Sequence, residues 1–153
     1  MKKSIFAIAF AFVSIALSIP AAYADTINFT INDPAQEVGT AGGNLYYSAT
    51  VSAPSTNSAV VHLNGDSYSL NTAFVLDDSP FLLNFPFDLA PGQSYTGSLF
   101  EVMVPADSPL GLYAGSSQIL GRAIGSDESV LSSATFSTAV SPEPSSLVLP
   151  GLA

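Results

Sequence analysis

The chain has 153 residues, 48% of them hydrophobic and only 10% charged, with 12 acidic residues against 3 basic ones and a formal net charge of −9. That length fits one domain plus targeting segments, and the apolar share is too high for an acidic disordered chain. Three bases make no footprint for nucleic acid or for an anionic lipid surface, and the absence of Cys excludes disulfide frameworks, thiolate zinc sites, Fe–S clusters and cysteine nucleophiles together.

Two of the bases, Lys2 and Lys3, precede an uncharged run of about 15 residues from Ile5 to Ile19. Pro20 follows, then Ala22-Tyr23-Ala24 and Asp25. A basic start, an apolar centre and a small-x-small ending are the three parts of a secretory signal peptide. The run is shorter than the roughly 20 residues a membrane-spanning helix needs. Residues 1–24 are therefore read as a leader cut between Ala24 and Asp25, which makes the Sec translocon and signal peptidase the expected first partners. The remaining chain keeps all 12 acids and a single base, Arg122, a formal charge of −11. Residues 25–141 must then be held together by a hydrophobic core alone, which is feasible at that size.

Strand patterns fill the rest. Over 26–32, Ile27, Phe29 and Ile31 alternate with Thr26, Asn28 and Thr30, the signature of a half-buried strand. Asp33 to Asn44 is rich in turn residues. Leu45, Tyr47, Ala49 and Val51 alternate again over 45–52. Asn64-Gly65, between Val60–Leu63 and Asp66–Leu70, predicts a two-residue hairpin, because both residues tolerate the positive φ of a type I′ turn. Apolar runs follow at 73–76, 80–87 and 98–104, the last placing Glu101 on one face with Leu99 and Met103. Extended segments at 117–124 and 130–140, joined through Gly125-Ser126-Asp127, complete the set. No window of 11 or more residues after Ala24 keeps a helical period, no repeat of 20–50 residues is present, and no regular Thr-rich ladder runs along the chain. About seven to nine short strands at close spacing predict an all-β fold, an antiparallel immunoglobulin-like β-sandwich.

The last segment reads Ser141-Pro142-Glu143-Pro144-Ser145-Ser146-Leu147-Val148-Leu149. Pro142, Glu143 and Pro144, followed by two serines and an apolar run, resemble the PEP-CTERM sorting signal of exported Gram-negative proteins. The resemblance implies processing by an exosortase and sorting to the outer surface, commonly beside exopolysaccharide or a biofilm matrix. In that family the tripeptide is followed by a transmembrane helix and an Arg-rich tail. Here Pro150 interrupts the run and no basic tail follows, so 142–153 is expected to be a truncated form of the signal. The region from Asp33 to Gly121 is also similar to bacterial immunoglobulin-like modules, through Ala90-Pro91-Gly92 and the Pro-x-Gly-x-Tyr of Pro109 to Tyr113.

Catalytic chemistry finds little footing. His62 is the only histidine, and no Gly-x-Ser-x-Gly elbow accompanies it. No residue is therefore assigned a catalytic or metal-ligating role. Adjacent Asp77 and Asp78 are the one place where Ca²⁺, a cation that takes oxygen ligands, enters as a candidate cofactor; without EF-hand spacing the expectation is a solvated turn. The expected function is that of a non-catalytic, exported surface or matrix protein with structural or interaction roles. The alternatives are a carbohydrate-binding adhesin, with Tyr46, Tyr68 or Tyr95 as stacking surfaces, and a hydrolase centred on His62.

Overall fold

A computed structural model describes residues 25–70 and 74–142. Nine strands and one short helix make up these residues: β1 (Asn28–Ile31), β2 (Ala35–Gly39), β3 (Gly43–Ser52), β4 (Val61–Leu70), β5 (Val75–Asp77), α1 (Ser79–Asn84), β6 (Asp88–Leu89), β7 (Ser94–Val104), β8 (Gly111–Ala123) and β9 (Ser129–Ser141). They form a four-stranded sheet, β1-β3-β7-β5, and a five-stranded sheet, β2-β9-β8-β4-β6. The apolar halves of the two sheets pack together as a sandwich, as the alternation of the sequence predicts.

β1 and β3 bury the residues their alternation singles out: Phe29 and Ile31 on one, Leu45, Tyr47, Ala49 and Val51 on the other. At the centre, the ring of Tyr47 lies 4.9 Å from Phe100 and 5.2 Å from Phe136, and Phe100 lies 4.7 Å from Phe136. Each such aromatic pair adds about 0.5–1.5 kcal/mol beyond area burial. The Tyr47 hydroxyl donates to the Ser137 carbonyl at 2.8 Å and meets Thr138 Oγ1 at 3.0 Å, which satisfies the one buried polar group of this cluster. Burial pushes the Tyr47 pKa up, against the opposing pull of the Thr138 hydrogen bond. Phe136 lies across from Gly115 on β8, and a Cβ there would collide with its ring.

The Pro109–Tyr113 segment carries the chain from the end of β7 into β8. Tyr113, near the start of β8, donates its hydroxyl to the Pro109 carbonyl at 2.7 Å and packs its ring edge-on against Phe74 at 4.7 Å. That is the geometry of a tyrosine corner.

Four features depart from the sequence reading. Asn64-Gly65 is no hairpin: β4 runs unbroken from Val61 to Leu70 and pairs with β8 along its length, with a register shift between Leu63 and Gly65. Asn64 is the unpaired extra residue of a β-bulge. A long partner strand rewards continuation, and nine paired residues of ladder outweigh a local turn preference. The run at 80–87 is not a strand, because α1 starts after Asp78, with Pro80 in its first turn, a helix-start pattern. The helix stacks Phe81 on Phe85 at 4.9 Å against the sandwich.

The sandwich is also not wholly antiparallel. β2, inside the stretch read as turns, pairs in parallel with β9. β1 runs on the edge of one sheet, the chain bends at Asp33-Pro34, and β2 joins the edge of the other sheet. Lastly, a bulge beside Tyr47 and Ser48 places Leu99 and Phe100 both inward, so Glu101 shares its face with Met103 but not with Leu99.

Candidate functional site

His62 lies on the outer side of β4, near the sheet edge. Its Nδ1 meets Asp88 Oδ1 of β6 at 2.5 Å, and both side chains are open to solvent. Arg122, the register partner of His62 on β8, extends the row. Among the described residues no serine, threonine or second carboxylate hydrogen-bonds to His62, so the pair has the orienting half of a triad without a nucleophile. An exposed polar pair of this kind contributes little to stability.

The candidate calcium ligands diverge. Asp77 Oδ1 accepts the Ser79 backbone N–H at 2.9 Å and the Ser79 hydroxyl at 2.5 Å, and these bonds hold its pKa below the usual carboxylate value. Asp78 stands at the N-cap of α1 without a side-chain capping bond. Among the described residues, no three His, Asp or Glu side chains come together in a way that would hold a metal ion.

One acid that the sequence reading passed over is Asp66. The bulge at Asn64 reverses which residues of β4 face inward, and Asp66 lies opposite the fully buried Ile119. Its Oδ2 is buried and has no hydrogen-bond partner among the described residues. Burial, with the charge of Asp78 adding to it, pushes the Asp66 pKa up from 3.8 to about 6. On the neighbouring strand the Ser117 hydroxyl is likewise buried and unpartnered. Only the pairing of β4 with β8 reveals this position, because the sequence shows Asp66 just after a turn signal.

The three tyrosines do not share a face. Tyr46 is 66% exposed on the outside of the four-stranded sheet. Tyr68 lies on β4 opposite Ser117 and directs its hydroxyl to the Leu76 carbonyl at 3.4 Å. Tyr95 packs inward, its ring 5.1 Å from Phe85. Around Tyr46 the outer face is built of short polar residues in three cross-strand rows: Asn28–Ser52–Ser94, Thr30–Thr50–Thr96, and Asn32–Ser48–Ser98. Thr30, Thr50 and Thr96 thus form a ladder across strands, where the sequence shows none along the chain.

At the two ends, Ala22, Ala24, Glu143 and Pro144 lie outside the described residues, whereas Asp25 and Pro142 lie within them. The Asp25 carboxylate accepts the Ser58 backbone N–H at 2.6 Å and the Ser58 hydroxyl at 3.1 Å. Thr26 exchanges two hydrogen bonds with the Asn57 side chain. Pro142 follows directly on the last residue of β9 and lines a shallow groove with Glu37, Val38, Gly42 and Ser141.

No family model matches the chain, and no curated protein matches it. Among solved structures, it is similar to part of the VesB protease of Vibrio cholerae, with 16% identity over 75% of this chain and 31% of that one, TM-score 0.40. It is similar to WR4, a C. elegans MSP family member, with 8% identity over 74% and 97% of the two chains, TM-score 0.42. It is similar to part of a family 123 glycoside hydrolase from Clostridium perfringens, with 12% identity over 75% of this chain and 27% of that one, TM-score 0.46. This chain therefore spans under a third of the protease and of the hydrolase. At these identities and scores, none of the three assigns an activity or a ligand to it.

Proposed function

We propose that the protein is an exported, non-catalytic β-sandwich module of the outer cell surface or extracellular matrix of a Gram-negative bacterium. A leader and a PEP-CTERM-like segment would deliver it, with signal peptidase and an exosortase as processing partners. The observation that carries this reading is the fit between the domain and its flanking motifs. Asp25, the residue after Ala22-x-Ala24, already bonds to Ser58 of the sandwich, and β9 ends at Ser141, just before Pro142-Glu143-Pro144. The −11 charge that follows leader removal favours solubility outside the cell. A lone exposed His62–Asp88 pair gives no support to the hydrolase alternative.

Expression of the full chain in a Gram-negative host, followed by fractionation, tests the proposal. The protein is expected beyond the inner membrane. Retention in the cytoplasm overturns the reading.

A further inference from the structure

We infer that the outer face of the four-stranded sheet is a binding surface for an uncharged polysaccharide. This deepens the preceding proposal and rests on it for one point, that the protein meets polymers outside the cell.

The face is made from the polar halves of three alternating strands, β1, β3 and β7. Strands lie about 4.8 Å apart, and alternate residues along each lie about 6.8 Å apart. The nine side chains of the three rows therefore cover a patch of roughly 10 by 14 Å. None of the nine is charged and none is aliphatic, in a chain that carries 12 acids. The acids of the strands stand outside this patch: Glu37 on β2 and Asp88 on β6 at edges of the other sheet, Asp66 inward on β4, and Glu101 and Asp77 in the next row, across from Tyr46.

This distribution selects the partner. An anionic polymer is repelled by the field of the whole chain. A protein interface needs an apolar, aromatic-rich centre, which the nine residues lack. An uncharged polyol asks only for hydrogen-bond donors and acceptors and meets no repulsion. The face offers these already oriented. Thr50 donates its hydroxyl to Asn32 Oδ1 at 3.0 Å, so Thr96, 2.8 Å from Thr50 Oγ1, is the donor to Thr50. Asn32 Nδ2 donates to Ser48 Oγ at 3.1 Å, so the Ser48 hydroxyl accepts here and keeps its own proton to donate. Groups fixed before binding lose less freedom when a ligand arrives.

Tyr46 sits one row beyond the patch. The Gln36 side chain holds its backbone carbonyl at 2.8 Å. Its exposed ring supplies the flat apolar surface on which the C–H face of a sugar ring can stack, beside the hydroxyls that fix orientation. On the outer face of the other sheet no such nine-residue block forms, since His62, Arg122 and the exposed Leu112 stand among its polar residues.

Pull-down of the purified full chain on insoluble cellulose, immobilised dextran and an immobilised β-glucan tests the inference, with immobilised alginate as the polyanion. Retention is expected on at least one uncharged polymer and not on alginate, and raising the salt to about 0.5 M should leave it unchanged. Tyr46→Ala and Thr50→Lys should each weaken retention about tenfold, an effect of about 1.4 kcal/mol. Ser67→Lys, on the outer face of the other sheet, should not. Ser94→Lys, at the patch margin, replaces Thr50→Lys if that variant fails to fold. No retention on any of the three uncharged polymers, or equal losses from Ser67→Lys, overturns the inference. A protein that is exported but binds none of them leaves the export reading intact, whereas one that binds but stays in the cytoplasm refutes that reading alone.

Discussion

Asp66 makes the stability of this domain depend on pH in a direction that can be worked out from its surroundings. In the folded state its pKa stands at about 6, raised from 3.8 by burial and by the charge of Asp78. The folded form therefore holds the proton more tightly than the unfolded form. The stabilisation is fully present below about pH 4 and is lost as pH rises through about 6. At about 1.4 kcal/mol per pKa unit, that gap sets a ceiling of about 3 kcal/mol. Asp66 is only partly buried, and solvent screening brings the expected loss down to about 1–1.5 kcal/mol.

Asp66→Asn removes the charge while keeping the shape. The variant should match the parent protein near pH 4 and exceed it at pH 7 by about 1 kcal/mol, which is about 4 °C in melting temperature for a domain of this size. Urea unfolding at pH 4, 5, 6 and 7 measures the difference, with equal slopes confirming that the unfolded states are comparable. An advantage that is constant with pH, or that shrinks toward pH 7, refutes the reasoning. Asp78→Asn should reproduce part of the effect, since Asp78 is the second cause of the shift.

Further expectations concern packing and bonding, and denaturant or thermal unfolding checks each of them. Tyr47→Phe strands the buried Thr138 hydroxyl and removes the bond to Ser137, and should cost about 1–2 kcal/mol. Tyr113→Phe opens the tyrosine corner at Pro109, with an expected loss of about 1 kcal/mol. Gly115→Ala forces a methyl into the Phe136 ring and should cost about 1–3 kcal/mol. On α1, Phe81→Ala should cost about 3–5 kcal/mol. Leu83→Ala two positions along, where the side chain is 82% exposed, should change stability by less than about 0.5 kcal/mol.

Much of the architecture is legible in the sequence because most strands bury one face and solvate the other. Ile27, Phe29, Ile31, Leu45, Tyr47, Ala49 and Val51 declare their side by alternation alone. Legibility fails wherever a partner strand overrides a local preference. Asn64-Gly65 has the chemistry of a tight turn, but β8 offers a continuous ladder, and the surplus residue is absorbed as a bulge. That bulge also hides Asp66, whose inward orientation depends on a register no single strand can reveal. A similar bulge at Leu99 gives Glu101 a different set of neighbours. The hydroxyl face is legible only in part: the polar halves of β1 and β3 show as alternations, whereas the run read for β7, at 98–104, starts past Ser94 and Thr96. Its rows exist because β1, β3 and β7 are neighbours, and sequence order does not disclose that adjacency.

The most direct test of the export reading is the intact mass of the protein recovered from outside the inner membrane. The account predicts a chain that starts at Asp25 and is cut or modified near Pro142 to Pro144, with Ala22→Arg abolishing the first cut. An unprocessed chain that still begins at Met1 and is held in the inner membrane or the cytoplasm would contradict it.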